Sequence, residues 1–272
     1  GDMQARGFLM GGTAGRTTLA GEGLQHQDGH SHLVANTIPN CVTYDPTFAY
    51  ELAVILRHGM KRMYEDGDNC FYYVTVMNEN YVQPAMPKGV EEGIVKGMYP
   101  LRKGGRRKTR VQLLGSGTIL REVVAAADLL EKDWGVAADV WSVTSFNELC
   151  RDGQAVERWN MLHPNRKAQV PYVAQQFAGV DGPIVAATDY MRAYADQIRP
   201  YLAQRYLTLG TDGYGRSDMR SQLRKFFEVN RHYVVVGALK ALADEGKVSA
   251  ADIGKAIRKY RIDPEKPNPL TV

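Results

Sequence analysis

Short apolar runs alternate with longer segments of helical spacing along most of this 272-residue chain. Residues 38–44 read as a short buried strand. Residues 45–65 then place Phe48, Leu52, Ile55, Leu56, Met60 and Met63 on one helical face, with Asp45 at N-cap spacing and Pro46 at the first helical position. Residues 70–77, CFYYVTVM, are β-branched and aromatic between two polar stretches and predict a strand buried on both faces. Strand, helix and strand in that order point to a parallel sheet. Residues 81–87 hold two prolines and no period, which predicts a linker between domains.

A short amphipathic helix is expected over 88–98, and a second alternation follows. Strands over 111–115 and 136–143 flank a helix over 119–133 whose Leu120, Val123, Val124, Ala127 and Leu130 point inward. Ser145 and Glu148 have capping-box spacing for a helix running toward Leu162. Further strands are expected at 172–177, 184–187 and 206–209, with a helix from Thr188 or Asp189 to Pro200. Three closing helices are expected near 218–228, 231–245 and 250–260, although Tyr233 to Val236 is locally strand-like. The fold class is α/β, with a mostly parallel sheet flanked by helices.

Composition narrows the field. With 44% hydrophobic and 24% charged residues the chain has the balance of a soluble globular protein, long enough for two domains. The net charge of +4 gathers largely in residues 102–110, RKGGRRKTR. That run lacks the aromatic or helical support of a polyanion site and is expected to be a solvated loop, so no nucleic-acid partner is expected. Cys41, Cys70 and Cys150 form no CxxC pair, which points to reduced thiols in a cytoplasmic setting. No apolar run reaches membrane-spanning length, no signal peptide is visible, and no membrane partner is expected. The chain opens Gly1-Asp2-Met3 without an initiator Met and is expected to be part of a longer polypeptide.

Candidate chemistry concentrates in residues 21–32, GEGLQHQDGHSH, which hold three of the six histidines. So much glycine and polarity predicts a loop presenting side chains from a rigid neighbour. His26, His30 and His32 with Asp28 could together ligate a metal. Alternatively one or two of these imidazoles face a cleft and hold or pass a proton near neutral pH, or all three simply hydrogen-bond loop backbone. Glu22, four residues before His26, could orient its ring, with Asp28 as the rival partner. Gly115-Ser116-Gly117 lies between a strand and a helix, where a phosphate-binding loop would lie. Position 120 is Leu rather than a third glycine, so a tight structural turn is expected there.

The runs GGTAGRTTL at 11–19, GEGLQHQDGHSH at 21–32, NENY at 78–81, SVTSF at 142–146, RWNMLHP at 158–164 and LGTDGYGRSD at 209–218 resemble the homodimeric bacterial pyruvate dehydrogenases. These are the thiamine-diphosphate-dependent, acetyl-transferring first components of the pyruvate dehydrogenase complex. The Gly-Glu-Gly followed by a His also looks, more distantly, like the substrate-contacting loop of transketolases. The resemblance implies roughly the last third of such an enzyme. Residues 1–86 would be the C-terminal half of the pyrimidine-binding domain, and 87–272 the transketolase-type C-terminal domain.

The same resemblance implies oxidative decarboxylation of pyruvate and reductive acetylation of lipoyl groups on the dihydrolipoyl acetyltransferase. It also implies a homodimer, with thiamine diphosphate and magnesium bound mainly outside this chain. His26 matches a catalytic histidine that contacts substrate, and Glu22 an acidic residue lining the same pocket. Gln25, Asp28 and His30 would be substrate-binding wall residues. No GDG-x-Asn pattern is present, and Thr211-Asp212-Gly213 lies in the wrong domain for one. Hence no cofactor-binding or metal-binding residue is expected here, and the isolated fragment is expected to be inactive. The alternatives are a non-catalytic dimerisation or assembly fragment, and a transketolase-group enzyme acting on sugar phosphates.

Overall fold

The computed structural model describes residues 1–12 and 14–272, so Thr13 of the glycine-rich run above lies outside the described residues. β1 (Phe8–Gly11) and α1 (Ser31–Asn36) lead to β2 (Cys41–Tyr44), α2 (Ala49–Met60), β3 (Phe71–Thr75) and a short α3 (Glu91–Lys96). Then come β4 (Met98–Arg102), β5 (Arg110–Gly115), α4 (Ile119–Trp134), β6 (Ala137–Val143), α5 (Phe146–Leu162), α6 (Tyr172–Gln176), β7 (Ile184–Ala187), α7 (Arg192–Asp196) and β8 (Tyr206–Leu209). Helices α8 (Arg220–Phe226), α9 (Arg231–Asp244) and α10 (Ala250–Lys259) close the chain.

Two sheets result. The first has the order β1-β3-β2, all parallel, with Tyr72 registered against both Phe8 and Val42. The second has the order β4-β6-β5-β7-β8, parallel except for the antiparallel edge strand β4. Its inner strands are buried on both faces, and successive residues go to opposite cores. Leu113, Val140 and Val185 pack with Leu120, Val123, Leu130, Val234 and Leu239 of α4 and α9. Leu114, Trp141, Ile184 and Ala186 pack with Phe146, Leu149 and Tyr194 of α5 and α7. Each such fully buried aliphatic side chain contributes roughly 1.5–3 kcal/mol. Apolar faces on both sides are what a parallel sheet between helical layers requires.

Several sequence expectations are corrected. The first long helix begins not at Asp45 but after Phe48, and it closes with a wider turn at Lys61–Glu65. Asp45 cannot cap it because its backbone N–H donates to Thr144 O at 2.8 Å and its carboxylate accepts from Thr75 Oγ1 at 2.8 Å. Glu51 takes over, accepting from the Thr47 and Phe48 N–H groups at 2.6 and 2.9 Å.

Residues 172–177 are not a strand. β7 already pairs with β5, and the Tyr172 N–H donates to the Asp152 carboxylate, so the chain coils into α6 with Val173 and Phe177 one turn apart in the core. The helix expected from 188 to 200 shrinks to α7 and a 3-10 turn at Arg199–Tyr201, because Thr188 extends the β7 ladder by donating to Leu209 O and Asp189 is held by Thr17. The basic run is partly structural: Arg102 ends β4 and pairs with Asp128, and Arg110 opens β5 and pairs with Asp139. β1 and α1 occupy segments that read as loop.

The linker expectation meets a mixed outcome. Residues 76–90 carry no helix or strand, yet Tyr81 stacks under Arg121 at 4.3 Å, and Glu79 is gripped by three arginines. The expected helix α5 is present with Ser145 Oγ accepting from the Glu148 N–H at 3.0 Å, but the capping box is half made, because the Ser145 N–H donates to Gly97 O and the Glu148 carboxylate turns to Arg151. Ser145→Ala is expected to cost about 1 kcal/mol, read as a lower urea midpoint at unchanged m-value.

Candidate active site

The carboxyl ends of the two sheets face each other, and the crevice outside the carboxyl ends of parallel strands is where α/β sheets bind ligands. The ends are joined at Asp45, just past β2. Its N–H reaches Thr144 beyond β6, and its carbonyl accepts from the Gly117 N–H at 3.2 Å. Gly117 has φ +49°, and a Cβ there would lie 2.5 Å from the Asp45 carboxylate. Thr47 Oγ1 donates to Gly117 O at 2.7 Å. The Gly115-Ser116-Gly117 stretch is thus a structural turn with its last peptide committed to joining the sheets.

Beside this joint lies a buried polar layer. His32 Nε2 and Thr75 Oγ1 are 3.0 Å apart, and the His32 ring stacks on Tyr194 and meets Tyr190 edge-on. Burial lowers the His32 pKa to about 3, so it is neutral. Burial likewise pushes Asp45 and Asp189 up to about 7, against the hydrogen bonds from Thr75 and Thr17 respectively.

The histidine-bearing stretch runs along the ends of β7 and β8. Its root is tied to Asp189: Arg16 N–H donates to Asp189 O at 3.2 Å, Thr17 N–H to Oδ2 at 3.1 Å and Thr17 Oγ1 to Oδ1 at 2.7 Å. The stretch then meets the loop before α8. Arg220 Nε donates to Thr18 O at 2.6 Å, Gly21 N–H donates to Asp218 O at 2.9 Å, and Gln27 and Arg216 exchange two bonds at 2.6 Å each. Between these anchors, a single 3-10 turn at Leu24–His26 carries the candidate chemistry.

The histidines do not converge. His26 Nε2 lies 3.8 Å from Glu22 Oε2, with the two side chains 49% and 51% exposed. That separation permits an ion pair once the imidazole is protonated but exceeds a hydrogen bond. Gln25 and His30 are exposed. Asp28 is not the partner of His26; its carboxylate accepts the His30 and Ser31 N–H groups at 3.1 and 3.0 Å and holds the start of α1. Among the described residues no group of three His, Cys, Asp or Glu could hold a metal ion. Sequence reasoning missed Gln27, Asp189 and Arg224, whose partners are 189, 172 and 207 positions away.

Relatives match this chain from end to end. The pyruvate dehydrogenase E1 component of Pseudomonas aeruginosa is 64% identical over 99% of the chain, that of Cupriavidus necator 59% over 100%, and that of Escherichia coli K12 58% over 99%. The chain is a homologue of the pyruvate dehydrogenase E1 component. It spans only 30 to 31% of the length of these E1 relatives. The family model described as pyruvate dehydrogenase E1 component middle domain matches residues 1–84, and the transketolase-like TK C-terminal domain matches 97–230. Among solved structures, the transketolase of Leishmania mexicana is 15% identical with a TM-score of 0.62, covering 85% of this chain and 30% of its own. A Pichia stipitis transketolase complex with sedoheptulose-7-phosphate is 17% identical with a TM-score of 0.62, covering 87% and 30%. At that identity the transketolases share only the fold with this E1 homologue. No helix of the described residues is long and apolar enough to cross a membrane.

The joint between the sheets also carries charge. Glu79, after β3, pairs with Arg224 of α8 and with Arg121 of α4 at 2.7 Å, while Glu122 of α4 pairs with Arg231 of α9 at 2.9 Å. Burial alone would raise the Glu79 pKa, but Arg224 and Arg121 outweigh it and hold it at about 2. A depressed carboxyl stabilises the fold above its ordinary pKa, and that contribution fades as pH falls toward the folded value. Glu79→Gln is therefore expected to cost on the order of 2–3 kcal/mol near neutral pH. The gap to wild type, measured by urea unfolding, should narrow as pH falls from 5 toward 3.

Proposed function

We propose that this chain is the substrate-side part of a thiamine-diphosphate- and magnesium-dependent pyruvate dehydrogenase, in which residues 1–86 complete the pyrimidine-binding domain and 87–272 form the C-terminal domain. The overall reaction is oxidative decarboxylation of pyruvate with reductive acetylation of lipoyl groups on the dihydrolipoyl acetyltransferase, in a cytoplasmic homodimer. The observation that carries the reading is the Glu22–His26 pair, half exposed on a turn anchored at both ends beside the carboxyl ends of the second sheet. Identity of 58 to 64% to E1 components along the whole chain supports it.

When bound, the cofactor supplies an electron sink for the carbon left by decarboxylation. On this reading the chain's own contribution lies on the substrate side, at the Glu22–His26 pair. His26 holds or moves a proton at the substrate oxygen, a task for an imidazole that is half exposed and reachable from solvent. Glu22, four residues earlier on the same turn, draws the protonated ring toward itself. Gln25 and His30 are exposed on either side and contact substrate as it enters, while Asp28 lines the same stretch and holds the backbone at His30 and Ser31. Within the α/β architecture the sugar-phosphate alternative has only the distant transketolase likeness behind it. The assembly alternative draws on one feature, the edge strand β1 with Leu9 and Met10 exposed.

In the full-length enzyme His26→Ala is expected to lower reductive acetylation by about 10²- to 10⁴-fold with unchanged far-UV circular dichroism. Unaltered turnover would remove His26 from the reaction. For this chain alone, light scattering separates the assembly alternative, which requires a dimer.

A further inference from the structure

We propose that Asp189, at the end of β7, is a positioning residue that sets the placement of His26 by anchoring the root of its loop. Asp189 is buried, and it receives three bonds from two successive loop residues: Arg16 N–H to its carbonyl, and the Thr17 N–H and hydroxyl to its two carboxylate oxygens. Its carbonyl also accepts from Thr211 Oγ1 at 2.8 Å, which ties the same residue to the segment after β8.

The loop is pressed against this carboxylate. Gly15 has φ +81°, and a Cβ there would lie 2.2 Å from Asp189 Oδ2, so only glycine lets the backbone pass so close. Thr17 completes a relay, since its hydroxyl donates to Asp189 and accepts from Arg224 Nε at 3.3 Å. At the other end the Gln27–Arg216 exchange fixes the residue next to His26. With both ends held by the second sheet and its loops, the arc between them has few ways to place Glu22 and His26. Release of the root would swing His26 without touching it.

The role of His26 rests on the reading above, while the anchoring does not, and the test separates the two. In full-length enzyme, hydrogen exchange of the amides at 19–30 is followed for wild type, Asp189→Ala, Asp189→Asn and Thr17→Val, together with kcat and KM. Asp189→Ala is expected to raise exchange across 19–30 with little change elsewhere. It should also lower kcat by about tenfold to a hundredfold, the size of effect a 1 Å misplacement produces, with KM less affected. Asp189→Asn keeps an acceptor for the Thr17 N–H and should restore part of both. In a His26→Ala background, Asp189→Ala should lower kcat little further, because it acts through the ring already removed.

Unchanged exchange at 19–30, or losses that multiply in the double variant, would overturn the proposal. Should Asp189→Ala fail to fold, Thr17→Val, which deletes one hydroxyl, is expected to give the same changes in weaker form, and wild-type exchange in that variant would also overturn it. Raised exchange alongside a silent His26→Ala would uphold the anchoring and overturn the role of His26.

Discussion

One residue's peptide groups hold the two sheets end to end. Asp45 donates its N–H to Thr144, beyond one strand of the second sheet, and receives the Gly117 N–H from the turn after another. Each of these groups is buried, and leaving one unmade would cost about 1–3 kcal/mol. The glycine is a condition of the contact, since any side chain at 117 would meet the Asp45 carboxylate. Because both sheets are parallel inside, joining them at their carboxyl ends brings together the two edges at which such sheets ordinarily present chemistry. The location of the candidate site is a consequence of that join.

Bringing two carboxyl edges together also buries polar groups that need partners. Glu79, Arg121, Arg224, Glu122 and Arg231 answer this with a chain of charge pairs running from the segment after β3 through α4, α8 and α9. His32, Thr75 and Asp45 answer it with a hydrogen-bonded file in which the imidazole stays neutral. Such a layer contributes less through net attraction than through the cost of breaking it, because a buried charge left without its partner is expensive. It therefore specifies one arrangement of the two sheets rather than merely favouring contact between them.

The sequence was most legible where local rules decide the outcome. The Ser145 cap, the strands at 184–187 and 206–209, and the helix at 231–244 follow from spacing alone; at Tyr233 to Val236 the Asn230 cap and an inward face of Val234, Val235 and Leu239 override a strand-like composition. It was least legible where a distant partner decides. Asp45 looks like a cap until its carboxylate is seen to accept from Thr75, which leaves the Thr47 and Phe48 N–H groups to Glu51. Residues 172–177 look like a strand until β6 and β7 are seen to occupy both sides of β5. β4 escapes notice because Pro100 and a register shift interrupt its alternation. At the site, the likeness to pyruvate dehydrogenases pointed to Glu22 and His26 as side chains of interest. No local pattern could reveal that Asp189, Gln27 and Arg224 hold their loop, since a carboxylate 172 positions away leaves no mark on spacing.

The glycines of the Gly21–His26 stretch read differently once the contacts are known. Gly21 and Gly23 have φ of +80° and +83°, and a Cβ on Gly23 would lie 2.4 Å from Ser217 Oγ. The Gly21 N–H is also spent on Asp218. Gly23 is there because two loops pass closely and Gly21 because its backbone takes a positive φ, which conflicts with treating the stretch as a flexible lid. A backbone pinned on one side by Asp218, Ser217 and Arg216 leaves solvent as the open direction for the side chains between its glycines. Glu22, Gln25 and His26 are the polar ones among them. A half-exposed imidazole on a held backbone combines two requirements that usually compete, since the ring stays open to solvent while its position is constrained.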